Sequence, residues 1–180
     1  MKNNWQTKRV EEVCNVEYGT RVVRRRDGGS KYPVYGGGGE TFAMDEYNRE
    51  DRIVVARFAM SELCTRFIKG KFYLNDSGLT LSPKDESQIL PEFLDLQTLA
   101  LNDRIYSLAR GTAQKNLDVP AFRNLEISFP DSIEAQKETV ELLHEIFEKT
   151  ARAKEITEKK LIDLDEFKKS VLRKAFHAEL

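Results

Sequence analysis

SIEAQKETVELLHEIFEKTARAKEITEKKLIDLDEFKKSVLRKAFHAEL, residues 132–180, runs for 49 positions without a glycine or a proline. All ten glycines and all five prolines of the 180-residue chain lie ahead of it, Pro130 being the last. Glycine is entropically costly in a helix and proline clashes with the preceding turn. A segment lacking both and rich in Glu, Lys, Ala, Leu and Arg therefore reads as one long helix, or two with a bend. Asp131 followed by Glu134 reads as its capping box. At 1.5 Å per residue the rod reaches roughly 70 Å, more than one small domain can bury, so much of it must project and meet a partner.

The apolar pattern supports that reading. Ile133, Val140, Leu143 and Phe147 follow coiled-coil spacing, and Leu161, Leu164, Val171 and Ala175 resume it. Thr150, Lys154 and Thr157 hold the seam between them, giving two apolar ends and a polar waist. Leu142, Ile146, Ala153, Ile156, Phe167 and Leu172 fall off the seam, which implies burial on more than one face. A helix packed along its own domain is the alternative, and the length argues against it.

Working back from the helix, residues 1–131 read as a mixed α/β domain, so the fold class is α+β: a globular domain followed by a long C-terminal coiled-coil helix. Segments 52–58 (RIVVARF), 71–74 (KFYL) and 125–129 (LEISF) read as strands. Residues 90–109, opening on Pro91-Glu92 and carrying Phe93, Leu94, Leu96, Leu99, Ala100 and Leu101, read as the domain's one substantial helix. The remainder is rich in loops, and no internal repeat is visible.

Composition excludes several classes. The first six residues, MKNNWQ, lack the apolar core of a signal peptide, and no apolar run approaches the ~18 residues of a membrane helix, so the expectation is a cytoplasmic protein with no membrane contact. Two cysteines (Cys14, Cys64) and two histidines (His144, His177) are too few and too scattered for a zinc site or a disulfide framework. The run Gly36 to Gly39 is followed by no Gly-Lys-Ser/Thr and does not open a dinucleotide-binding helix. Pro130-Asp131 with Glu134 and Lys137 resembles a nuclease motif only superficially, because the acids sit where a helix cap belongs and Gln136 stands in the lysine's place. No loop of the Asn-Pro-Pro-Tyr type is present to hold a flipped adenine.

Net charge is −1, and neither part is basic: residues 1–131 hold 19 positives and 19 negatives, the helix 10 and 11. Charge is clustered locally instead. Between Thr20 and Lys31, Arg21, Arg24, Arg25, Arg26 and Lys31 face only Asp27. Tyr32, Pro33, Tyr35 and four glycines follow, aromatic groups beside backbone that can approach a ligand closely, which suits a nucleic-acid groove as well as a solvated turn. Arg57, Arg66, Lys69 and Lys71 could extend that surface.

Six segments, read in order, resemble the specificity subunits of type I restriction-modification systems. They are Trp5 with residues 8–14 and Tyr18-Gly19; residues 32–39 (YPVYGGGG); residues 72–76 (FYLND); residues 111–117 (GTAQKNL); residues 127–130 (ISFP) with Glu134 and Gln136; and residues 170–180 (SVLRKAFHAEL). Each fragment is weak, and their ordered occurrence along nearly the whole chain is specific. The resemblance implies a target-recognition domain in residues 1–131 and a conserved spacer helix in 132–180. It also implies a subunit without catalysis or cofactor of its own, which reads double-stranded DNA and positions modification subunits that bind S-adenosylmethionine and methylate adenine, with a restriction subunit as a further partner. Two departures stand out: Ala178 replaces the family's usual glycine, and the chain has one recognition domain and one helix where members generally have two of each.

That shortfall suggests a homodimer. Antiparallel pairing of two helices would join the apolar ends through Val140, Leu143, Phe147, Leu161, Leu164 and Val171 and hold two domains over a bipartite palindromic site. The expected DNA contacts, chosen by charge and loop position, are Arg21, Arg24, Arg25, Arg26, Lys31, Tyr35, Arg57 and Arg66; residues 111–117 read as structural. The competing reading is a coiled-coil scaffold that binds no DNA.

Overall fold

Apolar side chains at Ile53, Val54, Val55, Ile68, Phe72 and Leu74 give two strands enough buried surface to anchor a sheet. In the computed structural model, which describes residues 4–176, they lie on β5 (Arg49–Ala56) and β6 (Thr65–Leu74). Before them come β1 (Trp5–Arg9), α1 (Val10–Val13), β2 (Cys14–Tyr18), α2 (Arg24–Asp27), β3 (Tyr32–Gly36) and β4 (Gly39–Met44). After them come β7 (Gly78–Pro83), α3 (Pro91–Ala100), α4 (Asn102–Ser107), β8 (Ala109–Arg110), β9 (Asn116–Leu117), α5 (Val119–Arg123), β10 (Glu126–Pro130) and α6 (Ile133–Phe176). The fold is thus α+β with a long C-terminal helix.

Six strands form one sheet in the order β2-β7-β5-β6-β3-β4. Its pairings are antiparallel except β3 with β6, which run parallel through Val34↔Tyr73 and Tyr35↔Leu74. A bulge in β5 puts Asp51 at φ +47°, and its carboxylate accepts from the N–H of Gly70, itself at φ +78°. Val54, Ile68, Phe72 and Leu74 form a buried cluster with Tyr35 against it. Asp95 of α3 reaches Arg52 of β5 at 3.6 Å.

The sequence-predicted elements shift in instructive ways. The strand expected over 52–58 starts at Arg49 and stops at Ala56, because the Arg57 N–H turns to the Ser77 carbonyl. The strand expected over 71–74 begins at Thr65. The helix expected over 90–109 is two, broken at Leu101 (φ −86°, ψ 8°).

Residues Met1–Glu138 and Thr139–Leu180 form two compact units. Within the first, β1 pairs with β10, and the Asp131 N–H donates to the Asn4 carbonyl, which brings the domain's beginning to the start of α6. The α6 cap is Ser132, whose hydroxyl accepts from the Ala135 N–H and contacts the Glu134 carboxylate; the Asp131–Glu134 capping box of the sequence reading is displaced by one residue. One turn on, Gln136 is fully buried: its carbonyl accepts from the Leu90 N–H, and its amide donates to the Gln88 and Pro130 carbonyls. Cys14 and Cys64 are separate buried thiols, pushed up to about 12 and about 11 by burial.

Candidate DNA interface

The arginine cluster folds as α2 and a tethered turn. Asp27 accepts from the Val23 N–H at 2.7 Å and takes both Arg26 Nε and Nη2, at 2.8 and 3.0 Å. That pair holds the Asp27 carboxyl below its usual range and raises the Arg26 pKa. Arg26 is therefore committed to the turn, whereas Arg21, Arg24, Arg25 and Lys31 are exposed and make no ion pair among the described residues. The turn is fastened to β4: Gly29 and Lys31 donate to the Ala43 and Met44 carbonyls, and Ser30 donates to Asp45.

The glycine run serves packing more than ligand approach. A Cβ on Gly36 would lie 2.3 Å from Ser77 Oγ, and one on Gly37 2.8 Å from the Ser77 carbonyl oxygen and 2.9 Å from that of Phe58. Only Gly38 is exposed and open on its Cβ side. The turn is bound from outside as well: Arg66 Nη2 donates to the Gly37 carbonyl at 3.2 Å, and the Tyr35 hydroxyl donates to Glu40 at 3.2 Å. Tyr35 and Arg66, both expected as DNA contacts, are half-buried and each spends a donor bracing the β3–β4 turn.

Arg57 sits where several loops meet. Its guanidinium lies 4.8 Å from the Tyr18 ring centroid and 4.6 Å from that of Phe58, and Nη1 donates to the Asp76 carbonyl. The β8–β9 hairpin supports the same loop, with Leu117 N–H donating to the Arg57 carbonyl, Met60 N–H to that of Lys115, and Ala59 N–H to Asn116 Oδ1. Sequence reasoning did not place Tyr18, Phe58 and Asn116 beside Arg57, and it missed a separate group in which Tyr47 packs on Tyr32 (5.1 Å between centroids) under the Lys71 ammonium (4.6 Å). Tyr18 and Asn116 meet this loop from far away in the sequence, so no local pattern ties them to Arg57.

The structure brings Tyr35, Arg57 and Arg66 together around the loops of Gly36 to Gly39 and Asn75 to Ser77, and gathers Arg21, Arg24, Arg25, Arg26 and Lys31 on the segment before β3. In the second unit, Phe147, Leu161, Leu164 and Val171 are 48%, 62%, 63% and 41% exposed, while Leu143 is half-buried and Val140 buried. Val140 is therefore not part of the exposed seam. The waist needs nothing from outside: Thr150 and Thr157 turn their hydroxyls to the Ile146 and Ala153 carbonyls at 2.8 Å each.

Comparison with known proteins gives the family. Residues 2–162 match the type I restriction modification DNA specificity domain. The chain belongs to this family. Comparison with curated proteins finds no match. The solved S subunit of the type I restriction-modification system from M. genitalium superposes with a TM-score of 0.72 at 22% identity, over 82% of this chain and 40% of that one. A chain from a structure of the complex assembly and conformational transition of the type I R-M system gives 0.73 at 19%, over 98% and 46%. The HsdS subunit from Thermoanaerobacter tengcongensis gives 0.58 at 17%, over 84% and 39%. These likenesses show the fold, and the chain spans less than half of each of those chains.

In this specificity domain, the segments that carried the resemblance form the scaffold. Residues 72–76 supply core and the Asn75 side chain that accepts from the Ser77 N–H; residues 111–117 brace the Arg57 loop; Gln136, in the first turn of α6, ties that turn to the Leu90, Gln88 and Pro130 backbone. Of the last segment, residues 177–180 lie outside the described residues.

Proposed function

We propose that this specificity domain recognises double-stranded DNA, two copies pairing through the long helix to read the halves of a bipartite palindromic site. The family match over residues 2–162 carries this reading. The exposed cations Arg21, Arg24, Arg25 and Lys31, which make no ion pair among the described residues, support it, since exposed guanidinium and ammonium groups gain most from displacing counterions at phosphates. The protein itself has no catalysis in this account; methylation and restriction belong to partner subunits that it positions. The helix acts as a ruler: its 44 residues span about 66 Å at 1.5 Å per residue, and the seam through Phe147, Leu161, Leu164 and Val171 sets the separation of the half-sites.

Salt-titrated binding to random duplex DNA tests the reading. The full chain is expected to bind weakly, and Arg24→Ala with Arg25→Ala to lower affinity for every sequence and flatten the slope of log K against log salt by about 2. Binding by the double variant equal to the parent's would show that this is the wrong surface.

A further inference from the structure

Arg57 is set apart from the other candidate DNA contacts by the two aromatic rings its guanidinium lies over. Arg26, Arg49, Arg52 and Arg110 each sit within 4 Å of a carboxylate, at Asp27, Glu17, Asp95 and Asp118. Like Arg21, Arg24, Arg25 and Lys31, Arg57 makes no such pair among the described residues; it lies over both the Tyr18 and the Phe58 ring, and one Nη1 bond to the Asp76 carbonyl at 3.3 Å uses a single one of its five donors. Its main chain is pinned on both sides, N–H to the Ser77 carbonyl and carbonyl to the Leu117 N–H.

A second observation lies two residues on. Ala59 is held at φ +48°, a left-handed conformation that costs an alanine energy and persists only where the surroundings over-determine it. Those surroundings are Asn116 Oδ1 on the Ala59 N–H and the Lys115 carbonyl on the Met60 N–H. The loop is therefore strained, braced and made to hold one shape. Long, freely rotating arginines suit phosphates, which can be met from many directions. A guanidinium held over two rings with donors unspent suits the two fixed acceptors of a guanine edge.

Resting on the DNA-recognition reading above, we propose that Arg57 is a specificity-determining residue that reads a base edge in the major groove, while Arg24 and Arg25 hold phosphates without regard to sequence. The test is enrichment of duplexes from a randomised pool by the full chain, comparing the parent, Arg57→Lys, and Arg24→Ala with Arg25→Ala. Arg57→Lys keeps a cation over the rings and loses the fork. It is expected to retain affinity for bulk DNA and to lose preference at one base pair of each half-site by about 5- to 100-fold. The double alanine variant is expected to bind everything more weakly and enrich the parent's motif. Asn116→Ala, which removes the brace on Ala59 and leaves Arg57 in place, is expected to blur the same base pair as Arg57→Lys. Unchanged preference at every position in Arg57→Lys, or a change in Asn116→Ala confined to other positions, overturns the assignment. A parent that enriches no motif overturns the DNA reading itself.

Discussion

The two units handle polar and apolar groups in opposite ways. In the first, buried polar side chains find partners: Thr65 at Asn102, Thr80 at Arg49, Thr98 at the Leu94 carbonyl, and Gln136 at three backbone groups. Among described buried side-chain atoms only Gln97 Oε1 goes unpaired. In Thr139–Phe176 the balance reverses. Polar groups pair along the helix itself, through Glu145–Lys149, Glu148–Arg152 and Asp165–Lys169, while Ile156, Leu161, Leu164 and Phe167 stand more than half exposed. Exposed i,i+4 pairs contribute only about 0.3–0.5 kcal/mol each, so they keep the helix formed and do nothing to cover its apolar face. One unit buries most of its apolar side chains; the other leaves apolar side chains exposed along its helix.

The largest effect expected from breaking this contrast is on association. Leu161→Asp with Leu164→Asp places two carboxylates in the seam and is expected to weaken self-association by at least ~1000-fold in analytical ultracentrifugation, with the thermal melting of the first unit unmoved. A parent chain that is monomeric across micromolar concentrations would remove the contrast altogether. Phe72→Ala makes the converse cut: the ring is fully buried against Tyr35, 5.7 Å between centroids, and its loss is expected to cost the first unit about 4 kcal/mol in chemical denaturation while leaving association through the helix intact.

Gln136→Leu should come next, at about 3 kcal/mol. The leucine fits the apolar surroundings but strands the Leu90 N–H and the Gln88 and Pro130 carbonyls away from water. Denaturation followed by fluorescence of Trp5, on the strand that pairs with β10, measures it. A loss below ~1 kcal/mol would mean that the start of α6 is held by its neighbours rather than by this amide.

Legibility in the sequence followed the range of the interactions. The long helix was readable because an absence of Gly and Pro over 49 positions is a local property; only its cap moved, from Asp131 to Ser132, both of them residues that cap well. β5, β6 and β10 were readable in part from their apolar runs. β1 to β4 and β7 were not, because their half-exposed patterns, such as that of β1 or of the glycine-bearing β3, take meaning only from the partner strand. The site followed the same rule. Charge marked Arg24 and Arg25 correctly as exposed, but nothing within reach of Arg26 except the adjacent Asp27 hinted that it is spent on its own turn, and the Tyr18 ring that flanks Arg57 lies far upstream. Resemblance located residues 111–117 and Gln136, and only the fold shows them as braces.

The smallest effect concerns Asp95, the one acid buried in the first unit among the described residues. Asp95 lies under α3 and is 6% exposed; burial lifts its pKa from 3.8 to about 6, and Arg52 at 3.6 Å together with the Ile53 backbone offsets only part of that. Between these two values the folded chain holds a proton that the unfolded chain has released, so stability must fall as pH rises from about 4 to about 6 and then level off. Asp27, Asp85 and Asp118 have lowered pKa values and act in the opposite sense, losing stability as pH falls, so the parent's own curve mixes the two. The difference between the parent and Asp95→Asn isolates the buried acid. It should change by on the order of 2 kcal/mol across that window, the parent being favoured at the acidic end. A flat difference curve would mean that Arg52 neutralises Asp95 fully, making this pair one more closed contact of the first unit instead of a place, like Gln97 Oε1, where its interior carries an unoffset cost.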